Sequence, residues 1–181
     1  MKINKLAIVL GFGVALTAGA ANAAPTQGHG TVKFTGSIID APCSIKNNNI
    51  TVDMGQVSNV ALKDGRESAS KHFTIELEDC EMNTLKSVKT TFNGQEADGP
   101  LKGLLAIQGG AKGAAIMITN HDNRPILLGK ESAATLLHDG SNALNFAAHL
   151  KGLQGTKSKD SNTSVKSGEF TAIANFTLSY L

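Results

Sequence analysis

The chain ends in a run of eleven residues, 170–180, in which apolar and polar side chains alternate. One face of this run is apolar throughout, and Ile173 alone interrupts the polar character of the other face. Alternation with a period of two predicts a strand that buries one face, and this run is about twice the usual strand length. Because a long apolar-faced strand with an open edge promotes aggregation, we expect this edge to be covered.

A second alternating run, GTVKFTGSI, occupies residues 30–38. Val32, Phe34 and Ile38 share one face with Gly36. A glycine within an apolar face marks a position where another backbone approaches closely. This strand could pair within its own domain or with another molecule, and the pattern by itself leaves both possibilities open.

The first 23 residues have the features of a secretory signal peptide. Lys2 and Lys5 precede an uncharged apolar run at 6–18, and residues 21–23, Ala-Asn-Ala, provide the small residues of a cleavage site. The apolar run has 13 residues, whereas a membrane-spanning helix needs roughly 20. We therefore predict cleavage after residue 23 and export of residues 24–181.

The charge balance excludes one class of partner. The chain has 17 Lys and Arg against 15 Asp and Glu, and the two lysines of the predicted signal peptide account for the difference. An exported chain without net charge has no electrostatic attraction for nucleic acid or for an anionic membrane. We therefore expect no nucleic-acid partner.

Between the two alternating runs, short apolar segments are separated by Gly, Asn and Asp. The segments predicted as strands are 50–54, 72–80, 87–92, 104–110, 114–120, 124–129 and 142–150. The last of these also fits a helix, but missing helix caps and neighbouring strands favour a strand. Asn93-Gly94 predicts a turn, and the polar stretch 153–168 predicts a loop. Many short strands with such turns indicate an all-β sandwich.

The two cysteines, Cys43 and Cys80, predict one disulfide. In an exported chain a single pair most simply forms a bridge. A redox pair or a metal site has no support, because the chain contains no C-x-x-C motif and no histidine close to either cysteine. In the chain-entropy model, a disulfide that closes a loop of this size contributes on the order of 3–4 kcal/mol to the free energy of unfolding.

The sequence shows no catalytic constellation. The five histidines are scattered, and neither H-E-x-x-H nor G-x-S-x-G occurs. The glycine-rich stretches 28–30 and 109–113 are not followed by a predicted helix, so a phosphate loop is not indicated. We predict no enzyme activity, no catalytic residue, no cofactor and no metal.

Three pieces of the sequence resemble the structural subunits of chaperone–usher fimbriae, of the type 1 and P-pilus kind. These pieces are GTVKFTGSIIDAPCSI at 30–45, IELEDC at 75–80, and the ending from Gly168 to Tyr180-Leu181. The resemblance covers essentially all of 24–181. It implies an incomplete immunoglobulin-like sandwich that lacks its last strand, and completion of that sandwich by a donor strand from another subunit.

The resemblance also assigns roles to residues. Residues 24–38 form the donor-strand extension and 39–181 the pilin domain. The residues that enter the neighbouring subunit are Gly30, Val32, Phe34, Gly36 and Ile38, with Gly36 in a shallow part of the groove. The C-terminal strand recognised by chaperone and usher comprises Gly168, Phe170, Ala172, Ala174, Phe176, Leu178 and Tyr180.

The function implied is that of a fimbrial rod subunit that polymerises by donor-strand exchange and supports adhesion at the bacterial surface. Its implied partners are identical subunits, a periplasmic chaperone, an outer-membrane usher and minor or tip pilins. Export through the periplasm would end in an extracellular fimbria. The alternatives are a minor tip or adaptor pilin, and a sandwich that completes itself and binds a ligand through its loops.

Overall fold

The computed structural model describes residues 29–38, 41–83, 85–152 and 165–181. The chain divides after Ile38 into two units, which are described separately. In the first unit, residues 29–38 belong to neither a helix nor a strand, and the side chains of Val32 and Phe34 are largely exposed. The predicted signal peptide and residues 24–28 lie outside the described residues.

In its described residues, the second unit consists of strands of 2 to 13 residues and two 3-10 helices. The helices span Asn59–Gly65 and Gly99–Leu101. The strands are β1 Ser44–Ile45, β2 Lys71–Cys80, β3 Ser87–Gly94, β4 Leu105–Ala106, β5 Gln108–Gly109, β6 Ala114–Asn120, β7 Pro125–Ile126, β8 Thr135–Leu136, β9 Gly140–Gly152, β10 Phe170–Thr171 and β11 Ala174–Tyr180. None of the helices in the described residues has the length and apolar character needed to cross a membrane.

The strands form two open sheets and a small strand pair. One sheet has the order β1-β2-β9-β6-β4, with β7 beside β6, and the other has the order β11-β3-β8. Strands β10 and β5 pair separately. Facing side chains of the two main sheets form one core, in which Phe92 meets Phe146 edge-to-face with ring centroids 5.1 Å apart. The prediction of an all-β fold is therefore confirmed.

The predicted strands at 72–80 and 142–150 are confirmed by β2 and β9. These two strands pair in antiparallel register from Lys71 with Ala148 to Leu77 with Asn142. Ile75 and Leu144 face each other in this register and are almost fully buried. A helix was the alternative for 142–150. The segment is a strand because pairing with β2 on one side and β6 on the other satisfies its backbone hydrogen bonds.

The turn predicted at Asn93-Gly94 is wrong. Strand β3 continues through both residues, which pair with Asn175 and Ala174. A Cβ added at Gly94 would lie 2.5 Å from a methyl carbon of Leu105 and 2.9 Å from the carbonyl oxygen of Ile173. The glycine is needed for close packing and not for a turn.

Two predicted strands differ from the structure in their hydrogen bonding. Residues 50–54 are not a strand, although the half-buried side chains of Ile50, Val52 and Met54 alternate with exposed ones as predicted. The single strand predicted over 170–180 is interrupted at Ala172 and Ile173, because β10 pairs with β5 and β11 pairs with β3. Side-chain alternation continues across the interruption. The predicted loop at 153–168 lies largely outside the described residues.

The structure contains the disulfide between Cys43 and Cys80, with the two Cα atoms 4.1 Å apart. The bridge connects the residue before β1 to the last residue of β2. A backbone hydrogen bond of 2.9 Å from the Glu81 amide to the Pro42 carbonyl lies beside it. The beginning of the second unit is therefore held to the end of β2.

Glu67 connects the segment after the first helix to β9. Its carboxylate accepts a hydrogen bond from the Lys151 ammonium at 2.7 Å and lies 3.3 Å from Nε2 of the buried His149. The Lys151 hydrogen bond is the main cause that holds the pKa of Glu67 below its ordinary value of 4.5. We therefore infer that this carboxylate stabilises the fold in its ionised form.

We expect the Glu67→Gln variant to be slightly less stable than the parent at neutral pH and equally stable in acid. Because the pKa of Glu67 is lowered by folding, its contribution is present above the unfolded pKa and disappears as the pH falls through the folded value. The pair is partly exposed, so the contribution is roughly 0.2–1 kcal/mol. Urea midpoints of both proteins measured from pH 7 to pH 3 test this. A difference that does not shrink as the pH falls would contradict it.

Candidate functional site: a groove beside the C-terminal segment

The second unit carries a groove of about 1150 Å³ between two segments that are distant in sequence. One wall is formed by residues 50–57 and the other by residues 165–172. The floor is apolar and includes Leu62, Ile107, Ile116 and Leu150. A long cleft with an apolar floor between two extended segments has the shape that receives a peptide chain.

The wall at 50–57 presents apolar side chains to the core without belonging to a sheet. Ile50, Met54 and Val57 are partly buried and pack against the main cluster of core residues. The structure assigns no strand within 50–57. Its backbone is therefore available for ladder hydrogen bonds with an added strand.

The opposite wall is closed by a tight backbone crossing at Gly168. The amides of Gly110 and Ala111 donate to the Glu169 carbonyl at 2.9 and 3.1 Å. Gly168 has a φ of 158°, and a Cβ added there would collide with Gly110 and lie 2.5 Å from the Ala111 nitrogen. The glycine that the family resemblance places in a recognition pattern thus has a structural role in this wall.

The wall continues into β11, which has one free edge. Strand β11 pairs with β3 from Ala174 to Tyr180, and along the ranges that the structure describes no strand pairs with its other edge. Phe176, Leu178 and Tyr180 pack against the core but are only partly buried. The core is therefore incompletely covered along this edge.

Charge plays a small part in the groove. Among the residues that the structure describes, four charged residues line it, two of each sign, and all four are exposed: Asp53, Lys112, Lys166 and Glu169. At the end of β11, burial raises the pKa of the Tyr180 phenol, which keeps it neutral in neutral solution. Within the described ranges no three His, Cys, Asp or Glu side chains are grouped as a metal site would require. The arrangement favours a strand that presents an apolar face to the groove.

The C-terminal residues predicted as a recognition strand line up on one side of the second unit. Phe170, Ala172 and Ala174 are partly buried and pack against the core, as are Phe176, Leu178 and Tyr180. Sequence reasoning identified this side of the groove but missed the role of residues 50–57. Their alternating pattern was visible, but it does not reveal which segment they face.

The residues predicted as a donor strand lie in the first unit. Val32, Phe34 and Ile38 are 74%, 90% and 104% exposed. A Cβ added at Gly30 or Gly36 would meet no atom within 4 Å. The described residues therefore do not explain the close approach that the sequence suggests at Gly36.

Comparison with known proteins places these features in a family. The sequence model described as fimbrial protein matches residues 32–181. The chain is 53% identical over 182 residues to the major MR/P fimbria protein of Proteus mirabilis strain HI4320, with 99% of each chain covered.

Two solved structures share the fold. The P pilus rod subunit PapA has a TM-score of 0.65 and 30% sequence identity, and the match covers 78% of this chain and all of that one. A chaperone–usher pilus structure has a TM-score of 0.66 and 33% identity, with 86% of this chain and 97% of that chain covered. The residues matched by the fimbrial sequence model, 32–181, include both walls of the groove.

Proposed function

The chain belongs to the fimbrial protein family, and on this premise we propose that residues 24–38 of one copy fill the groove of the next. The chain is a structural subunit that polymerises into a pilus rod and not an enzyme. Its rod is part of an extracellular surface fimbria. The proposal adds the contact between subunits, in which residues 24–38 of one copy occupy the groove of the next. We call this contact the donor-strand joint.

The observation that carries this proposal is the incomplete core beside β11. A strand added there would pair with the free edge of β11 and cover the partly buried Phe176 and Leu178. Backbone hydrogen bonds would provide affinity that is independent of sequence, and alternate side chains would provide specificity. The exposed alternating run at 30–38 has the chemistry of that strand.

Val32, Phe34 and Ile38 are the side chains that enter the groove under this proposal, and Gly30 and Gly36 occupy the remaining positions of the same face. Each of the three apolar side chains contributes roughly 1.5–3 kcal/mol on full burial. Gly36 allows close approach of the two backbones. Because the added strand completes a core, its departure requires partial unfolding of the accepting subunit, and dissociation is slow.

The same open edge explains why a helper protein is part of the proposal. An apolar strand with a free edge aggregates unless it is covered. A periplasmic chaperone would cover β11 of each subunit after export, and an outer-membrane usher would exchange the chaperone for the next subunit. The C-terminal residues from Gly168 to Tyr180 supply the surface that both would recognise, and minor or tip pilins would use the same joint at the ends of the rod.

A peptide with the sequence of residues 24–38 tests the joint. Added in excess to the full-length chain during assembly, it is expected to cap free grooves and to shorten the fibres seen by electron microscopy. Mass spectrometry under native conditions should show one peptide per capped subunit. A peptide carrying Phe34→Asp is the matched control and should have no effect. Fibres of unchanged length in the presence of the parent peptide would contradict the proposal.

A further inference from the structure

Two exposed apolar patches lie at opposite ends of the sheet β11-β3-β8. One consists of Leu136 and Leu181, which are 82% and 53% exposed, and the other is Ile173, which is 78% exposed. Single exposed apolar side chains are common on protein surfaces and need no explanation. The positions of these three residues distinguish them from that background.

Leu136 and Leu181 lie on the same face of the sheet, on either side of Ser87. Ser87 is the register partner of Leu136. The Leu181 amide donates to the Ser87 carbonyl at 2.9 Å, and the Ser87 amide donates to the Leu181 carbonyl at 3.2 Å. Residues that pair directly project to the same face of a sheet, and the neighbouring Val88 faces the core. The two leucines therefore form one patch on the outer face.

Ile173 lies at the other end of the same outer face. Exposed side chains recur at Ile173, Asn175 and Thr177, and Leu181 has the same parity along the segment. With a rise of about 3.3 Å per residue, Ile173 and Leu181 are separated by on the order of 25 Å. One sheet thus carries two apolar patches separated by the length of β11.

The Leu136–Leu181 patch lies at the end of the second unit where its described chain begins. The Glu81 amide donates to the Pro42 carbonyl at 2.9 Å, and the Lys86 amide donates to the Leu181 carbonyl at 2.8 Å. The Met82 amide, next to Glu81, donates to the Asp139 carboxylate at 2.7 Å, and Asp139 follows β8 by three residues. The first described residues of the unit therefore lie at the same end as the leucine patch. The proposed donor extension, residues 24–38, precedes Pro42 closely in the sequence, so the patch lies at the end of the second unit that follows the donor strand.

We propose that the Leu136–Leu181 patch of one copy packs against Ile173 of the copy that accepts its donor strand. This contact rests on the proposed function. Each strand pair among the described residues is antiparallel, and a donor strand antiparallel to β11 ends beside the Ile173 end of the accepting copy. A head-to-tail fibre needs two different complementary patches on each subunit, and the two ends of this sheet provide them.

Cysteine pairs in assembled fibres test the contact. The full-length double variant Leu136→Cys/Ile173→Cys is oxidised after assembly, and the fibres are then dissociated and run on a denaturing gel without reductant. We expect a ladder of disulfide-linked subunits that collapses to one band with reductant. Either single variant should give no ladder. The matched control Val60→Cys/Leu136→Cys pairs one patch residue with Val60, an exposed residue of the first 3-10 helix that belongs to neither patch.

Serine variants provide a second measurement, which does not require the cysteine variants to assemble into fibres. Because both side chains are exposed in the subunit, Leu136→Ser and Ile173→Ser should leave the subunit folded and able to bind the 24–38 peptide. Their fibres should dissociate at a lower urea concentration than parent fibres. Intact fibres without a ladder, or serine variants whose fibres resist urea as the parent does, would overturn the contact. Loss of peptide capping would instead overturn the donor-strand joint, so the two failures are distinguishable.

Discussion

The variant Phe34→Asp is expected to be exported and to fold but to form no fibres. Under the proposed joint, Phe34 enters a groove whose floor is apolar. Aspartate there would lose the burial of the ring and place a carboxylate without a partner against apolar side chains. Together these effects cost at least about 4 kcal/mol, which is roughly a thousandfold in affinity. Electron microscopy of the fraction sheared from the cell surface provides the measurement.

Thr35→Asp is the matched control for this variant. It introduces the same charge one residue away, and in a strand the side chain of Thr35 points to the opposite face from that of Phe34. We expect fibres in nearly normal amount, with the added charge in solvent. Equal loss of fibres in both variants would indicate that the charge and not the groove contact is responsible. Normal fibres in both would show that residue 34 does not enter the groove.

The second large effect is expected at Gly168, where alanine should lower the amount of folded subunit and the stability of the remainder. Alanine avoids the positive φ that Gly168 adopts, and strain of this kind costs about 1–3 kcal/mol. The added methyl group would also strike the Gly110 backbone and lie 2.5 Å from the Ala111 nitrogen. Overpacking adds about 1–3 kcal/mol, and the wall of the groove would have to shift.

Gly140→Ala separates the two causes. Gly140 also has a positive φ, 88°, but a Cβ added there would meet no atom within 4 Å. We expect Gly140→Ala to lower the free energy of unfolding by about 1–2 kcal/mol, through conformational strain alone. Urea midpoints of purified fibres and the yield of exported subunit compare the two variants. If Gly168→Ala were no worse than Gly140→Ala, the backbone crossing at Gly168 would not constrain the groove.

Much of the fold was predictable because strand patterns are local. The alternation in 72–80 identifies the buried face of β2, on which Ile75 and Leu77 are almost fully buried. The disulfide followed from the cysteine count and the export signal. The turn at Asn93-Gly94 failed for a non-local reason. Turn propensity at this dipeptide is overridden by pairing with Asn175 and Ala174, about eighty residues away in the chain.

The candidate site was predictable on one side only. The alternation in the C-terminal run predicts a strand whose open edge must be covered. The N-terminal run has the same alternation of apolar and polar side chains. The wall at 50–57 was not recognised as part of the same groove, because its side-chain pattern is that of any half-buried strand. Likewise, nothing near Gly168 in sequence shows that Gly110 crosses it. A contact between segments more than fifty residues apart cannot be predicted from the sequence of either segment alone.

From the sequence by itself, one can establish which side chains of each run share a face, since that depends on the two-residue period of an extended backbone. This determines the β class of the chain and identifies the two alternating runs, 30–38 and 170–180. The tertiary structure decided which edges remain free, where the C-terminal run is interrupted, and that residues 50–57 form the facing wall. Those features depend on hydrogen-bond partners and packing neighbours brought together by folding, and no local pattern specifies them.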